Sequence, residues 1–403
     1  MGLALLTTHP ETPARARQEL DLQLALGPAL VATQGPAASE VEQTYARAQA
    51  LCAQVGETSQ LFTTLRGLYQ FYLTMGALPT AREMGEQLYQ LAQREAAPTY
   101  LLEAHVALGH TLFFLGEYAA ARKHFEQGIA LTDSTVQRAL ALRHGEAPGV
   151  RCLAMAATTL WCLGYPAQAI QLCQEALTLA QELEHPQSLV AARHFAAYLH
   201  HHCREVPAVQ AQAEALLTLA TAQGFPLWVG HGTCWRGWVL VMHGQGETGM
   251  AQMHQGLAAV LATGQTLTQP LHLVLLAEAA GHAGQVETGL PLLAEALAAL
   301  EASGRGDLLA EAYRLQGELL LRQATPDATQ AEACFQQSLA IARRLQAKSW
   351  ELRAALSLSR LWQQQDKRDE AYELLAPIYG WFTEGFDTAD LHDAKALLEE
   401  LRT

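Results

Sequence analysis

The sequence predicts an all-α, right-handed superhelical solenoid built from helix pairs. Two observations carry that prediction. A small residue recurs at the centre of successive apolar segments about every 40 residues: Gly109, Ala157, Ala196, Gly237, Ala277, Gly317 and Ser359, with Tyr69 as a large exception. Hydrophobic residues make up 50% of the chain while aromatics make up only 7%, the composition of helices packed closely through small side chains.

The elements follow in order. Residues 1–56 read as a degenerate N-terminal helix pair, leucine-rich over 14–33, broken at Gln34-Gly35-Pro36 and resumed from about Ser39. Its first helix is too apolar for a solvated end cap, so the array is expected to continue from an upstream part. Residues 57–378 hold eight helix pairs. Glycines at 76, 116, 164, 244 and 284 follow the small markers by one fixed step, where a helix must stop and reverse. One insertion, 132–150, interrupts the period as a loop or short extra helix. Residues 379–403 form a C-terminal cap: Trp381, Phe382 and Phe386 are expected to plug the gap beneath an amphipathic last helix.

The stretch His105–Leu131 shows the local pattern best. Gly109, Leu112, Gly116, Ala121, Phe125 and Gly128 alternate small and large residues at the offsets of the tetratricopeptide repeat (TPR) signature. The segments FPLWVGHGTCWRGW (225–238), ELRAALSLSRLWQQQDKRDEA (351–371) and PIYGWFTEGFDTADLHDAKALLEEL (377–401) go further. They resemble the C-terminal TPR array of bacterial multidomain signalling proteins that carry a class III adenylate/guanylate cyclase domain and an AAA-type ATPase. The resemblance implies a sensing or scaffolding role. It transfers no catalysis, because the chain has neither a P-loop nor a cyclase metal-aspartate segment.

Charge narrows the partners. The net charge is −14, and lysine occurs only at 123, 348, 367 and 395. Without a basic stripe, nucleic-acid binding lacks its main driving force. No apolar run approaches membrane-spanning length, and the opening MGLALLTTHPETP shows no signal peptide or myristoylation motif. Seven scattered cysteines without a CxxC pair fit a reducing cytoplasm.

Local motifs dissolve into the repeat. Gly244-Gln-Gly-Glu-Thr-Gly249 matches the dinucleotide-binding pattern, but a strand must precede that motif, and here the turn glycine and the close-contact glycine of one repeat produce it. His200-His201-His202-Cys203 cannot converge on a metal, since neighbouring helical side chains diverge by about 100°. His144-Gly145-Glu146 lacks the cysteine pair that a zinc deaminase needs. No cofactor, metal or catalytic set is expected.

The inner face remains. In TPR arrays the surface opposite the packing stripe lines a concave groove. Positions −3, +1 and +4 from each marker lie on it, about 150° around the helix. The candidate groove residues are Arg66, Gln70, His110, Phe113, Trp161, Arg193, His200, Trp238, Glu278, Arg314 and Arg360. Phe113, Trp161 and Trp238 are expected to be exposed among inward arginines, with Trp161 near Arg193, as a hot spot for an anionic or aromatic segment. The expected function is a non-catalytic protein-interaction array regulating attached cyclase or ATPase domains. The alternative is a free-standing receptor for a peptide or small effector.

Overall fold

The structure, a computed structural model, describes residues 12–56 and 58–402. The segment 1–11, with most of the opening read above, and the side chain of His144 lie outside what it describes. The described residues form helices and connecting turns without a strand. Helices α1 (Pro13–Gln34) and α2 (Ser39–Val55) precede the regular array. Its first helices are α3 (Thr58–Thr74), α5 (Pro98–Phe114), α8 (Pro148–Cys162), α10 (Pro186–His202), α12 (Pro226–Met242), α14 (Gln269–His282), α16 (Leu309–Leu321) and α18 (Lys348–Gln364). Each pairs with a second helix: α4 (Leu78–Glu95), α6 (Tyr118–Ala130), α9 (Pro166–Glu182), α11 (Val206–Gln223), α13 (Gly246–Ala262), α15 (Val286–Ser303), α17 (Ala328–Arg344) and α19 (Arg368–Tyr379). The insertion carries α7 (Ser134–His144), and α20 (Ala389–Arg402) closes the chain.

Local chemistry explains these elements. Proline occupies the first turn of α5, α8, α10, α12 and α14, where its fixed φ suits helix entry and its missing N–H costs nothing. Within a pair, the small marker lets the helices approach. A Cβ on Gly109 would sit 2.6 Å from the Phe125 ring, and one on Gly317 2.5 Å from Phe335. The turn between paired helices requires positive φ, and Gly164 supplies it at 93°. At the equivalent turn between α10 and α11, Arg204 takes φ 61° instead, a conformation costly for a side chain with a Cβ.

The superhelix is tight enough for successive turns to touch, and five helix pairs complete one turn. The α3 carbonyl of Thr74 accepts hydrogen bonds from the Thr266 and Leu267 amides before α14 at 3.2 and 3.1 Å. Phe114 at the end of α5 accepts from Gly306 before α16 at 2.9 Å. The Trp161 carbonyl on α8 accepts from Ser349 on α18, and the His202 carbonyl on α10 accepts from Arg353. At Thr74, Phe114 and His202 the contact satisfies a carbonyl left without an intrahelical partner at a helix C-terminus, and at Trp161 it adds to the Gly164 amide bond of 3.0 Å.

The last helix joins this seam. Arg204 pairs with Asp393 at 2.9 Å, and Arg353 with Asp390 at 2.7 Å. Glu384 accepts from the Ala167 and Gln168 amides at 3.0 and 3.1 Å, a carboxylate at the positive end of α9. The expected aromatic plug is only partly one: Phe382 is buried, whereas Trp381 and Phe386 stay 37% and 49% exposed. Trp381 lies instead on Gly164 and Lys348.

Candidate ligand cavity

The tight superhelix encloses a cavity of about 520 Å³, lined by α1–α5, residues 145–151, α10, α12, the start of α14, and Arg305. That volume lies within the usual range for small-ligand pockets. Its walls are largely aromatic and apolar, with Tyr45, Tyr69, Phe113, Phe114, Phe195, Tyr198 and Trp228 among them.

Three arginines reach the cavity, each held by a carboxylate. Arg66 Nε lies 2.6 Å from Glu103. Arg151 meets Glu146 with both ends of its guanidinium and covers the Phe195 ring at 5.1 Å. Arg305 binds Asp307 through two bonds of 2.9 and 2.6 Å, donates to the Leu267 carbonyl, and lies 4.7 Å over the Phe114 ring. Burial raises the Asp307 carboxyl above its usual pKa, and the Arg305 charge and hydrogen bonds oppose that rise. The fork geometry of these pairs is the strong form of the interaction.

The histidines of the wall are neutral. Burial, then the charges of Arg151 and Arg305, push His110 well below its ordinary pKa. Burial lowers His194 to about 3, with His272 and Arg151 contributing. His231 is likewise depressed by burial, then by His194 and His272. The rings of His194 and His231 lie 4.3 Å apart, and those of His231 and His272 stack at 5.0 Å.

Of the residues named from sequence, Arg66, Gln70, His110 and Phe113 line this cavity. The others lie elsewhere, and the expectation of exposed aromatics is overturned. Phe113, Trp161 and Trp238 are 2%, 2% and 3% exposed. Trp161 is covered by the next superhelical turn: Trp350 meets it edge-on at 4.7 Å, and Arg353 lies over it at 5.0 Å. Trp238 donates to Glu278 at 3.0 Å, beside the His201–Glu278 contact of 2.7 Å. Burial would raise the Glu278 pKa, but the His201 charge and the bonds from His201 and Trp238 hold it at about 2.

Arg193 donates to Gln212 on α11 at 3.1 Å, so it does not join Trp161 in a hot spot. His200 meets Glu205 at 2.6 Å. Arg314 is clamped by Glu311 at 2.7 Å, and Arg360 reaches Asp393 on α20 at 3.0 Å. The charges of Arg314 and Arg360 are thus matched within the fold.

The sequence reading missed Arg151, His194, Trp228, His231 and Arg305. Arg151 and His231 sit six residues before the markers Ala157 and Gly237, and Trp228 sits nine before Gly237. Arg151 and His231 lie near the continuation of the inner stripe toward the helix N-terminus, whereas Arg305 lies in a turn that helical periodicity does not reach. The glycine motif belongs to the repeat. Gly244 is a positive-φ turn residue, and Gly249 packs so that a Cβ would meet the Gly237 carbonyl at 2.5 Å. Among the described residues no group of three or more His, Cys, Asp or Glu could hold a metal ion. No described helix is long and apolar enough to cross a membrane.

Comparison with known proteins agrees with this architecture. A tetratricopeptide repeat family model matches residues 102–135, the α5–α6 pair. No curated protein sequence matches the chain. Similar solved structures include a Rap protein complexed with Competence and Sporulation Factor, at 12% identity and a TM-score of 0.56, covering 96% of this chain and 100% of that one. NprR in complex with its cognate peptide NprX is 13% identical with a TM-score of 0.49, covering 96% and 99%. A Signal Transduction ATPase with Numerous Domains protein with a TPR sensor, from Pyrococcus horikoshii, is 13% identical with a TM-score of 0.48. The alignment covers 95% of this chain but 54% of that one. The family match and the Rap likeness show a TPR-type fold, and neither singles out the cyclase–ATPase group.

Proposed function

We propose that this chain is a non-catalytic TPR receptor whose axial cavity takes a short peptide or small effector. The observation that carries the reading is the closed superhelix itself. Contacts between successive turns cover the groove at α8 and bury Trp161, neighbouring pairs bury Trp238 on α12, and an aromatic-walled cavity is left inside the first turn. The lining draws on helices from seven pairs, so a ligand there would bias the pitch of the whole array. A Rap protein uses the same fold in its complex with Competence and Sporulation Factor, which makes receptor function a natural use of the scaffold. The resemblance of residues 225–238, 351–371 and 377–401 to the arrays of cyclase–ATPase proteins supports a second reading, in which that pitch is transmitted to attached catalytic domains.

The test is a thermal-shift screen of peptides and metabolites against the wild type and Val106→Trp, a substitution that fills the cavity from α5. Compounds that raise Tm in the wild type should leave the variant unmoved. Equal shifts in both would place the ligand outside the cavity and end this reading.

A further inference from the structure

We infer that the cavity, taken as the ligand site proposed above, recognises an uncharged planar carboxamide or lactam group carried on an apolar body. The charge argument comes first. Arg66, Arg151 and Arg305 are each matched by Glu103, Glu146 and Asp307, so an anion would have to displace a carboxylate already in place. Aromatic walls favour a flat apolar body.

Hydrogen bonding then specifies the polar group. The Thr268 carbonyl can only accept, so His272 donates to it through Nδ1 at 2.7 Å. His272 is neutral, with burial lowering it to about 4, and its Nε2 is therefore an acceptor. His231 Nδ1, 3.2 Å from that Nε2, must donate, which leaves His231 Nε2 as an acceptor. The Trp235 indole, a donor only and also on α12, points at His194 Nδ1 on α10 from 3.3 Å. His194 Nε2 consequently carries the proton and donates.

Both imidazoles line the cavity. With rings 4.3 Å apart, they offer one donor beside one acceptor. A primary amide or a lactam presents C=O and N–H along one edge and answers both. A trans peptide unit points the two groups in opposite directions, so a peptide backbone answers only one. Trp228 stands in the same wall, its ring 5.6 Å from each histidine, and its buried indole N–H has no partner.

Titration of the full chain by tryptophan fluorescence would test this with four probes. These are quinolin-2(1H)-one, its N-methyl derivative, 2-naphthoate, and the dipeptide amide N-acetyl-Phe-Gln-NH2, which carries the same group on a peptide. Quinolin-2(1H)-one should bind at least tenfold more tightly than the N-methyl derivative and 2-naphthoate, and His194→Phe or His231→Phe should abolish the preference. Tighter binding of the dipeptide amide, with the same histidine dependence, supports the inference and identifies the source as a peptide. Equal or tighter binding of 2-naphthoate overturns the inference while leaving the cavity as a ligand site. Absence of binding by all four overturns it as well, and the Val106→Trp screen then decides the wider reading separately. The probe comparison is made within the wild type, so misfolding of a histidine variant cannot rescue the idea.

Discussion

Mild acid should unfold this protein, and the size of the effect follows from its buried histidines. His110, His194, His202, His231 and His272 all have depressed pKa values, with burial the largest cause in each. After burial, His110 faces Arg151 and Arg305, His202 faces His201 and Arg353, and His272 faces Arg305, with only the Thr268 carbonyl opposing. A lowered native pKa means that the unfolded chain, titrating near 6.5, takes protons that the native state refuses. Stability is therefore full above about pH 6.5 and is lost as pH falls below it.

Between pH 7 and 5.5 each such histidine costs about 1.2 kcal/mol, and the five together about 6 kcal/mol. That is comparable with the whole stability of many domains. Glu278, held at about 2, loses its contribution only below its ordinary carboxylate range and does not enter this window. The assay is urea unfolding followed by circular dichroism at pH 7.0 and 5.5. The wild type should be compared with His202→Phe, because both ring nitrogens of His202 are buried without partners and an apolar ring of similar shape should cost little. The variant should be at least as stable at pH 7 and lose about 1.4 kcal/mol less per pH unit on the steep part of the curve. A midpoint that does not move between pH 7.0 and 5.5, or a variant with the wild-type slope, would refute the assignment of neutral buried histidines.

Three further outcomes are expected. Gly109→Leu should cost about 1–3 kcal/mol by overpacking, because Phe125 is fully buried and cannot yield, while Gln127→Leu on the exposed face of α6 should be near neutral; equal thermal melts would undo the register. Trp161→Ala should destabilise by about 3–5 kcal/mol, measured by denaturant unfolding, since the ring fills the seam between turns. Arg353→Met leaves the His202 carbonyl without its side-chain donor and Asp390 with Arg204 alone, so amide exchange should quicken in α20 and at the end of α10 ahead of the rest of the chain; uniform exchange would deny the seam its role.

The repeat was legible because it is enforced locally. Gly109 against Phe125 and Gly317 against Phe335 are contacts within one pair, so their spacing survives in the sequence whatever the superhelix does. The concave surface was legible only where no later turn covers it. On α5, Val106, His110 and Phe113 fall at the expected inner positions and do line the cavity. On α8 and α12 the same positions are buried: Trp161 by Trp350 and Arg353 from far along the chain, Trp238 by His201 and Glu278 from the neighbouring pairs.

For Trp161 the superhelical pitch decides, and it is set by contacts five pairs apart that no 40-residue window contains. The matched charges show the same thing. Arg305 and Asp307 are two residues apart in a turn and look solvated in the sequence, yet they are 2% exposed because Phe114, from the preceding superhelical turn, lies over the guanidinium. An inward arginine therefore advertises a ligand anion only if the fold has not already supplied the carboxylate. Here the fold supplies it three times, which turns the expected anion groove into a neutral cavity whose selectivity must come from ring faces and imidazole edges.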